Sequence, residues 1–281
     1  MKNTDHPRPF QLRDIGLYLM LILGTILAIF PFLWMISTSL KGPVEVLSVN
    51  PTLLPVEWRW QNYPDVFNFL PTFGRMYFNT AFRTVTIVVG QLLFSAMAAF
   101  AFARLDFPGK NFLFLMVLGV LMIPGQVTLI PNFILFSQIG WVNNYLGLIV
   151  PSMFSAVGVF LFRQYFLSMP QTLFDAALID GCTSIGMFWR VGLPLAQNAL
   201  VSFGIFSTLW AWNDFLWPLI LTNTEDMYLL SVGIGMFQGQ FQSNFALMMS
   251  AASMATVPIL ILFVILQKRI IDGIAMTGLK T

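Results

Sequence analysis

FDAALIDGCTSIGMFWRVGLP, residues 174–194, is a short polar island between long apolar segments. In a chain that is 57% hydrophobic and 9% charged, such a break reads as a membrane-protein loop that emerges into water and offers a docking platform to another protein. What flanks the island decides the fold class. A mean hydropathy of +0.78, with 29 Phe and 8 Trp, exceeds what a soluble fold can bury. Outward from the island, apolar runs cover 15–36, 84–103, 112–136, 145–162, 199–212 continuing past Asp214 to 221, and 245–266. Each approaches or exceeds the roughly 20 residues that a helix needs to cross about 30 Å of hydrocarbon. Strands of a membrane barrel would alternate apolar and polar residues, and these runs do not. An all-α integral membrane protein with six transmembrane helices is predicted.

Positive charge flanking a span tends to stay cytoplasmic, so Lys and Arg set the orientation. With the N-terminus inside, the inner segments hold Lys2, Arg8, Arg13, Arg104, Lys110, Arg163, Arg190, Lys268, Arg269 and Lys280 of the 14 basic residues. The outer side keeps Lys41, Arg59, Arg75 and Arg83, and the later outer loops, 137–144 and 222–244, carry none. Both termini are expected in the cytoplasm. The opening run, 15–36, is too long for a signal-peptide core and reads as an uncleaved first helix. The chain then divides into a cytoplasmic tail 1–14, a six-helix membrane domain 15–267 with an outer insertion 41–77 and a cytoplasmic loop 168–197, and a cytoplasmic tail 268–281. Cys182 is the single cysteine and His6 the single histidine, so neither a disulfide nor a metal cluster is expected. The net charge of +2 is explained by the inner basic flanks and does not point to nucleic acid.

Proline and glycine punctuate the spans at Pro31, Pro124, Gly125, Pro131, Pro151, Pro218 and Pro258. Each break frees backbone carbonyls, which inside a membrane must face protein or a water-filled path. Within the island, Pro170 suits the first turn of a helix, and Phe174, Ala177 and Leu178 share one face. Gly181 is placed to end that helix in the left-handed conformation. Thr183 or Ser184 then caps a second helix with an apolar side of Ile185, Phe188 and Trp189, which Pro194 prevents from running on without a bend. Small Ala176 and Ala177 would let another surface approach, and Asp175 and Asp180 would offer charge to a basic partner. Periodicity alone leaves a purely structural loop equally open.

The spacing Asp175-Ala176-Ala177, three residues, Gly181, nine residues, Val191, one residue, Leu193-Pro194 resembles the EAA loop of permease subunits in bacterial binding-protein-dependent ABC importers. Asp175 departs from the usual Glu and Val191 from the usual Ile. Further stretches extend the resemblance over nearly the whole chain: 98–109 (AAFAFARLDFPG), 123–126 (IPGQ), 130–131 (IP), 162–166 (FRQYF), 212–219 (WNDFLWPL) and the segment from Gln267-Lys268-Arg269 to Gly278 with Lys280. They resemble the carbohydrate-uptake branch related to the shorter maltose permease subunit. The resemblance implies a type I ABC importer permease fold with a cytoplasmic helix-turn-helix coupling loop, in the bacterial inner membrane. It also implies a second homologous permease subunit, two ATP-binding subunits that carry ATP and Mg, and an extracytoplasmic solute-binding protein. Asp175, Ala176, Ala177, Asp180, Gly181, Leu193 and Pro194 would form the ATPase-docking loop. The cargo implied is a sugar, with glycerol-3-phosphate or a polyol as the alternative.

No cofactor is expected on this chain itself. The one Gly-Lys pair, Gly109-Lys110, lacks the upstream Gly and the following hydroxyl residue of a phosphate-binding loop. For the solute path, Asn213 and Asp214 lie about 24 Å along the fifth helix from Gln197, and amides and carboxylates bind sugar hydroxyls. Gln126, Asn132 and Asn79 are weaker candidates. Trp212 and Trp217 fit an aromatic belt. Two readings stand for Arg83: snorkelling outward, or pairing with Asp214. The competing classes are an ion-coupled secondary carrier, which usually needs ionisable groups deep within its spans, and a membrane enzyme, which needs a clustered acid, base or metal site.

Overall fold

A computed structural model describes residues 12–240 and 244–278. In chain order the helices are α1 (Leu12–Ser39), α2 (Pro43–Val46), α3 (Asn62–Phe69), α4 (Phe73–Arg104), α5 (Lys110–Val120), α6 (Gly125–Gln138), α7 (Tyr145–Ile149), α8 (Ala156–Ser168), α9 (Gln171–Ile179), α10 (Ser184–Met187), α11 (Leu193–Leu195), α12 (Gln197–Asn213), α13 (Leu216–Leu221), α14 (Leu230–Gln240) and α15 (Phe245–Gly278). Among the described residues there is no strand. Four helices are long and apolar enough to cross a membrane unaided, Ile15–Ser39, Phe73–Arg104, Tyr145–Ser168 and Phe245–Gln267; counting each of two bent pairs as one span raises the number to six.

The sequence-based boundaries shift in three places. Helix α4 starts at Phe73, so the insertion expected over 41–77 ends sooner. The third run is not one straight span: α5 and α6 meet at 96° around Pro124, whose ring removes a donor and restricts the residue before it. The fifth run ends as a helix at Asn213 and resumes in α13. The segment expected as a tail from residue 268 is helical to Gly278, and the apolar span within α15 ends at Gln267. Residues 1–11 of the N-terminal tail and 279–281, with Lys2, Arg8 and Lys280, lie outside the described residues.

The chain divides into two compact units, Met1–Phe69 with Gln240–Met254 and Leu70–Gly239 with Ala255–Thr281. In the first, α1 is apolar all round and exposes Leu17, Met20, Leu27 and Leu33, the surface of a helix that belongs in lipid. Its C-terminal carbonyls would otherwise be orphans. Asn62 donates to the Ser39 and Lys41 carbonyls at 2.8 and 2.9 Å, and Ser250 donates to Ser39 at 3.0 Å. The buried Lys41 ammonium sits 4.6 Å from the Trp34 ring centre and donates to the Thr52 carbonyl.

The second unit is built on α4, which packs against α8 and α12. Small residues set the spacing: a Cβ added at Gly158 would stand 2.9 Å from the Phe203 ring and 3.1 Å from Ser95, so these helices approach only because that side chain is missing. Toward the 168–197 loop the core becomes aromatic, with Phe100 between Phe166, Phe174 and Phe188 at 5.5, 5.9 and 5.5 Å.

At the other end, proline breaks leave carbonyls that are satisfied one by one. Pro151 deprives the Gly147 carbonyl of its helical donor, and Trp217 Nε1 supplies one at 3.1 Å. Pro218 does the same to Asp214, whose carbonyl accepts from Ser231 Oγ at 2.7 Å. Arg83, 0% exposed, completes the set. Its guanidinium donates to the Leu148 carbonyl at 3.0 Å, to the Ala211 carbonyl at 2.9 Å and to the Asp214 carboxylate at 2.5 Å. Of the two readings of Arg83, pairing with Asp214 is the one found. Removing it should strand a carboxylate and two carbonyls, so Arg83→Met is expected to lose about 3–5 kcal/mol of unfolding free energy in denaturant titrations of the detergent-solubilised protein. Adding Asp214→Asn should recover part of that loss. A single variant as stable as the parent would show the pair to be dispensable.

Candidate functional site

The 168–197 loop is a helix, a glycine turn and a second short helix. Helix α9 follows Pro170, which sits just outside the helix rather than in its first turn. Gly181 ends α9 with φ of 76°, a conformation that costs a glycine nothing. There the Cys182 amide donates to Ala177 at 2.9 Å and the Gly181 amide to Leu178 at 3.0 Å, the paired closing bonds of a Schellman motif. Thr183 caps α10, its hydroxyl accepting from the Gly186 amide at 3.1 Å.

The inward faces differ from the periodic reading. Phe174 and Ala177 are buried as expected, but Leu178 is exposed. In the second helix Met187 and Phe188 turn inward, whereas Ile185 and Trp189 turn outward. A wide π-helical turn over Phe188–Gly192 follows and breaks the 3.6-residue repeat from there on. Ala177 packs against the phenylalanine core, so Ala176 alone of the two alanines faces outward. The chain passes through Pro194 within α11 and bends by 77° only at Ala196, before α12. What remains outside is an apolar patch with Ile179 86% and Ile185 70% exposed, together with Leu178 and Trp189. The exposed carboxylates of Asp175 and Asp180 border it in sequence, Asp175 held by Gln171 Nε2 at 3.0 Å.

Arg104, at the end of α4, holds this loop in place. Its guanidinium lies 4.2 Å from the Phe174 ring centre and donates to Gln171 Oε1 at 2.5 Å, to the Met169 carbonyl at 2.6 Å and to the Phe166 carbonyl. The sequence placed Arg104 only as a basic flank; its position one residue after the apolar run 84–103 was the available signal.

A half-open cavity of about 610 Å³ lies among α4, α6, α8 and α12. Of the expected path residues, Asp214 and Asn132 line it. Asp214 stays 14% exposed beside Arg83. Asn213 and Gln126 do not line it; both are exposed, and Asn213 bonds back to the Leu209 carbonyl at 2.8 Å. Asn79 is fully buried, donating to the Asp226 and Tyr228 carbonyls at 2.7 and 3.0 Å and accepting from Tyr145 Oη at 2.5 Å, so it ties the 222–229 loop to α4 and is closed to solute. The cavity also contains residues that the sequence reading missed. Gln91 donates to the Ser152 carbonyl at 2.8 Å and accepts from Ser207 Oγ at 2.8 Å, and Trp210 forms part of the wall. Gln91 stands two i+4 steps from Arg83, a spacing that put both on one stripe of α4. Trp212 and Trp217 serve packing: each donates its ring N–H at 3.1 Å, to the Ala255 and Gly147 carbonyls respectively.

Comparison with known proteins bears on the whole chain. The arabinooligosaccharides transport system permease protein AraQ of Halalkalibacterium halodurans is 36% identical over 90% of this chain and 92% of its own length. AraQ of Bacillus subtilis is 34% identical over 98% of this chain and 99% of its own. The sn-glycerol-3-phosphate transport system permease protein UgpE of Yersinia enterocolitica is 32% identical over 79% of this chain and 80% of its own. Among solved structures, a chain of a bacterial ABC transporter involved in the import of the acidic polysaccharide alginate superposes with a TM-score of 0.81 at 25% identity, covering 92% of this chain and 99% of that one. Its likeness makes the fold that of a type I ABC importer permease. The family of binding-protein-dependent transport system inner membrane components matches residues 20–275, and the chain belongs to it.

Proposed function

We propose that this chain is the translocating permease subunit of an ATP-driven importer for a mono- or oligosaccharide, and that residues 168–197 couple it to the ATPase. The observation that carries the coupling role is the division of labour in the loop. One face, Phe174, Ala177, Met187 and Phe188, is sunk into the bundle, and Arg104 pins its start, while Leu178, Ile179, Ile185 and Trp189 stay in the open. A loop tied so firmly on one side transmits force applied to the other. Asp175, Asp180 and Gly181 are the polar and turn elements of that contact; Leu193 and Pro194 carry the force toward α12. The shorter Asp175 side chain requires closer approach by a basic group than Glu would.

The partners are a second permease subunit, two ATP-binding subunits that hold ATP and Mg, and an extracytoplasmic binding protein. Both termini and the loop lie on the cytoplasmic side, in line with the basic flanks. Closure of the ATP-bound subunits then drives the helices between inward-open and outward-open states, an equilibrium that the loaded binding protein also biases. Saccharide cargo is favoured by the two AraQ relatives; the UgpE relative favours glycerol-3-phosphate as the second reading. An ion-coupled carrier is disfavoured because the charges inside the spans, Arg83 and Asp214, neutralise each other.

Gly181 tests the coupling. A β-branched residue there meets no neighbouring atom within 4 Å, so its effect acts through the backbone, where φ of 76° is strained for any L side chain. Gly181→Val is expected to abolish uptake in whole cells while assembly with the ATPase subunits, read by co-purification, stays near normal; Gly181→Asn, which tolerates this conformation, should keep substantial uptake. Full uptake by Gly181→Val would sink the docking model. A second check concerns where ATP is consumed. Purified alone, the chain should show no ATP turnover, and activity should appear only once the ATPase subunits are added; stoichiometric turnover by the lone chain would overturn the subunit assignment.

A further inference from the structure

We infer that the cavity among α4, α6, α8 and α12 is a solute site selective for uncharged polyhydroxyl compounds, that is neutral saccharides, over phosphate esters and uronates. The inference rests on the importer reading above and deepens it, since it gives this chain direct contact with the cargo. The relatives leave the charge of the cargo open, because their named solutes include a neutral oligosaccharide, a phosphate ester and an acidic polysaccharide.

The chemistry of the wall decides the matter. Besides the Trp217 ring N–H, which Gly147 takes, its polar side chains are the Gln91 and Asn132 amides, the Thr128, Ser152, Ser155 and Ser207 hydroxyls and the Asp214 carboxylate, and the lining holds no Lys, Arg or His. Asp214 is therefore the one charged lining group. The nearby cation, Arg83, is out of reach: it is 0% exposed, and its donors already serve Leu148, Ala211 and Asp214. A sugar hydroxyl both donates and accepts, and amides and hydroxyls do the same. Gln91 has one amide proton and one acceptor position engaged by Ser152 and Ser207, which leaves its second proton for a ligand. The Asp214 carboxylate, its charge already paired with Arg83, accepts and does not donate, so it suits a hydroxyl and gives an anion no donor. A phosphate ester or uronate would shed water, find no free cation to replace it, and face that carboxylate. The exposed rings of Phe206 and Trp210 offer flat apolar surface to the C–H face of a sugar. A volume of about 610 Å³ is ample for a ring or two.

Cysteine protection tests this without relying on transport rate. In the transporter assembled with its partner subunits, Cys182→Ser removes the one natural thiol of this chain. Asn132→Cys and Ser152→Cys then place a thiol in the cavity, and Asn223→Cys places one at an exposed site outside it. Modification by an uncharged maleimide is followed on this chain in the presence of neutral oligosaccharides such as arabinotriose or maltotriose, of sn-glycerol-3-phosphate, or of a uronate trimer. At ten times the dissociation constant, the transported neutral sugar should slow labelling at 132 and 152 about tenfold, with position 223 unaffected and the anions without effect at equal concentration. Uptake of a neutral sugar without protection of either cavity cysteine would overturn the site and leave the importer reading standing. Equal or stronger protection by the anions would overturn the charge selectivity. An assembled transporter that takes up no carbohydrate would overturn the importer reading itself.

Discussion

Inside a bilayer no water stands by to satisfy a carbonyl or a charge, and this demand organises the main bundle. The chain interrupts its own helices at Pro151 and Pro218 and around Asp214, and each interruption exposes acceptors. Arg83 answers most of them at once, spanning Leu148, Ala211 and Asp214 from its place on α4. A lysine would carry the charge but not the planar fork that reaches three separate acceptors. Because the four groups complete one another, the ends of α7 and α12 are held to α4 without any main-chain ladder between them. A broken helix is thereby made compatible with a dry interior.

The class of fold was legible because hydrophobic length is a coarse and robust signal. Five of the six runs fall on the four single spans and the bent pair α5–α6, while the fifth falls on α12 and α13 and not on the second bent pair, which takes in residues 184–195 of the loop. What periodicity could not supply was the angle at a break. Pro124 announces that α5 must end, yet the 96° turn depends on what the two halves pack against. The same holds for the 168–197 loop. Gly181 was readable because a left-handed residue after a helix is a local backbone requirement. Ile185 and Trp189 were misassigned because helical spacing shows which residues share a face but not which face the core covers, and here the core takes Met187 and Phe188.

The cavity was harder to read, for a physical reason. Asp214 stood out as a charge in an apolar run, and Asn132 as a polar residue beside a breaker. Asn79 and Gln91 carry similar side chains on one helix, and both are buried, yet one is sealed by Tyr145 and two carbonyls while the other borders the cavity. Composition cannot separate them, since the difference lies in which neighbours arrive from 66 to 149 residues away. Long-range partners also give the Trp212 and Trp217 ring N–H groups their acceptors, the Ala255 and Gly147 carbonyls.

The loop and the cavity share two rods. Helix α12 leaves the loop at Ala196 and runs unbroken to Asn213, about 25 Å at the helical rise, and Phe203, Phe206, Ser207 and Trp210 along it line the cavity. Helix α4 is clamped to the loop by Arg104 and reaches Gln91 in the cavity and Arg83 beyond it. A displacement imposed on the loop would therefore reach two adjoining walls of the same space. The hydrogen bond from Ser207 on α12 to Gln91 on α4 crosses between those walls. Relative sliding of the two rods must stretch or re-pair that bond, whereas the Arg83 cluster resists separation at their far ends.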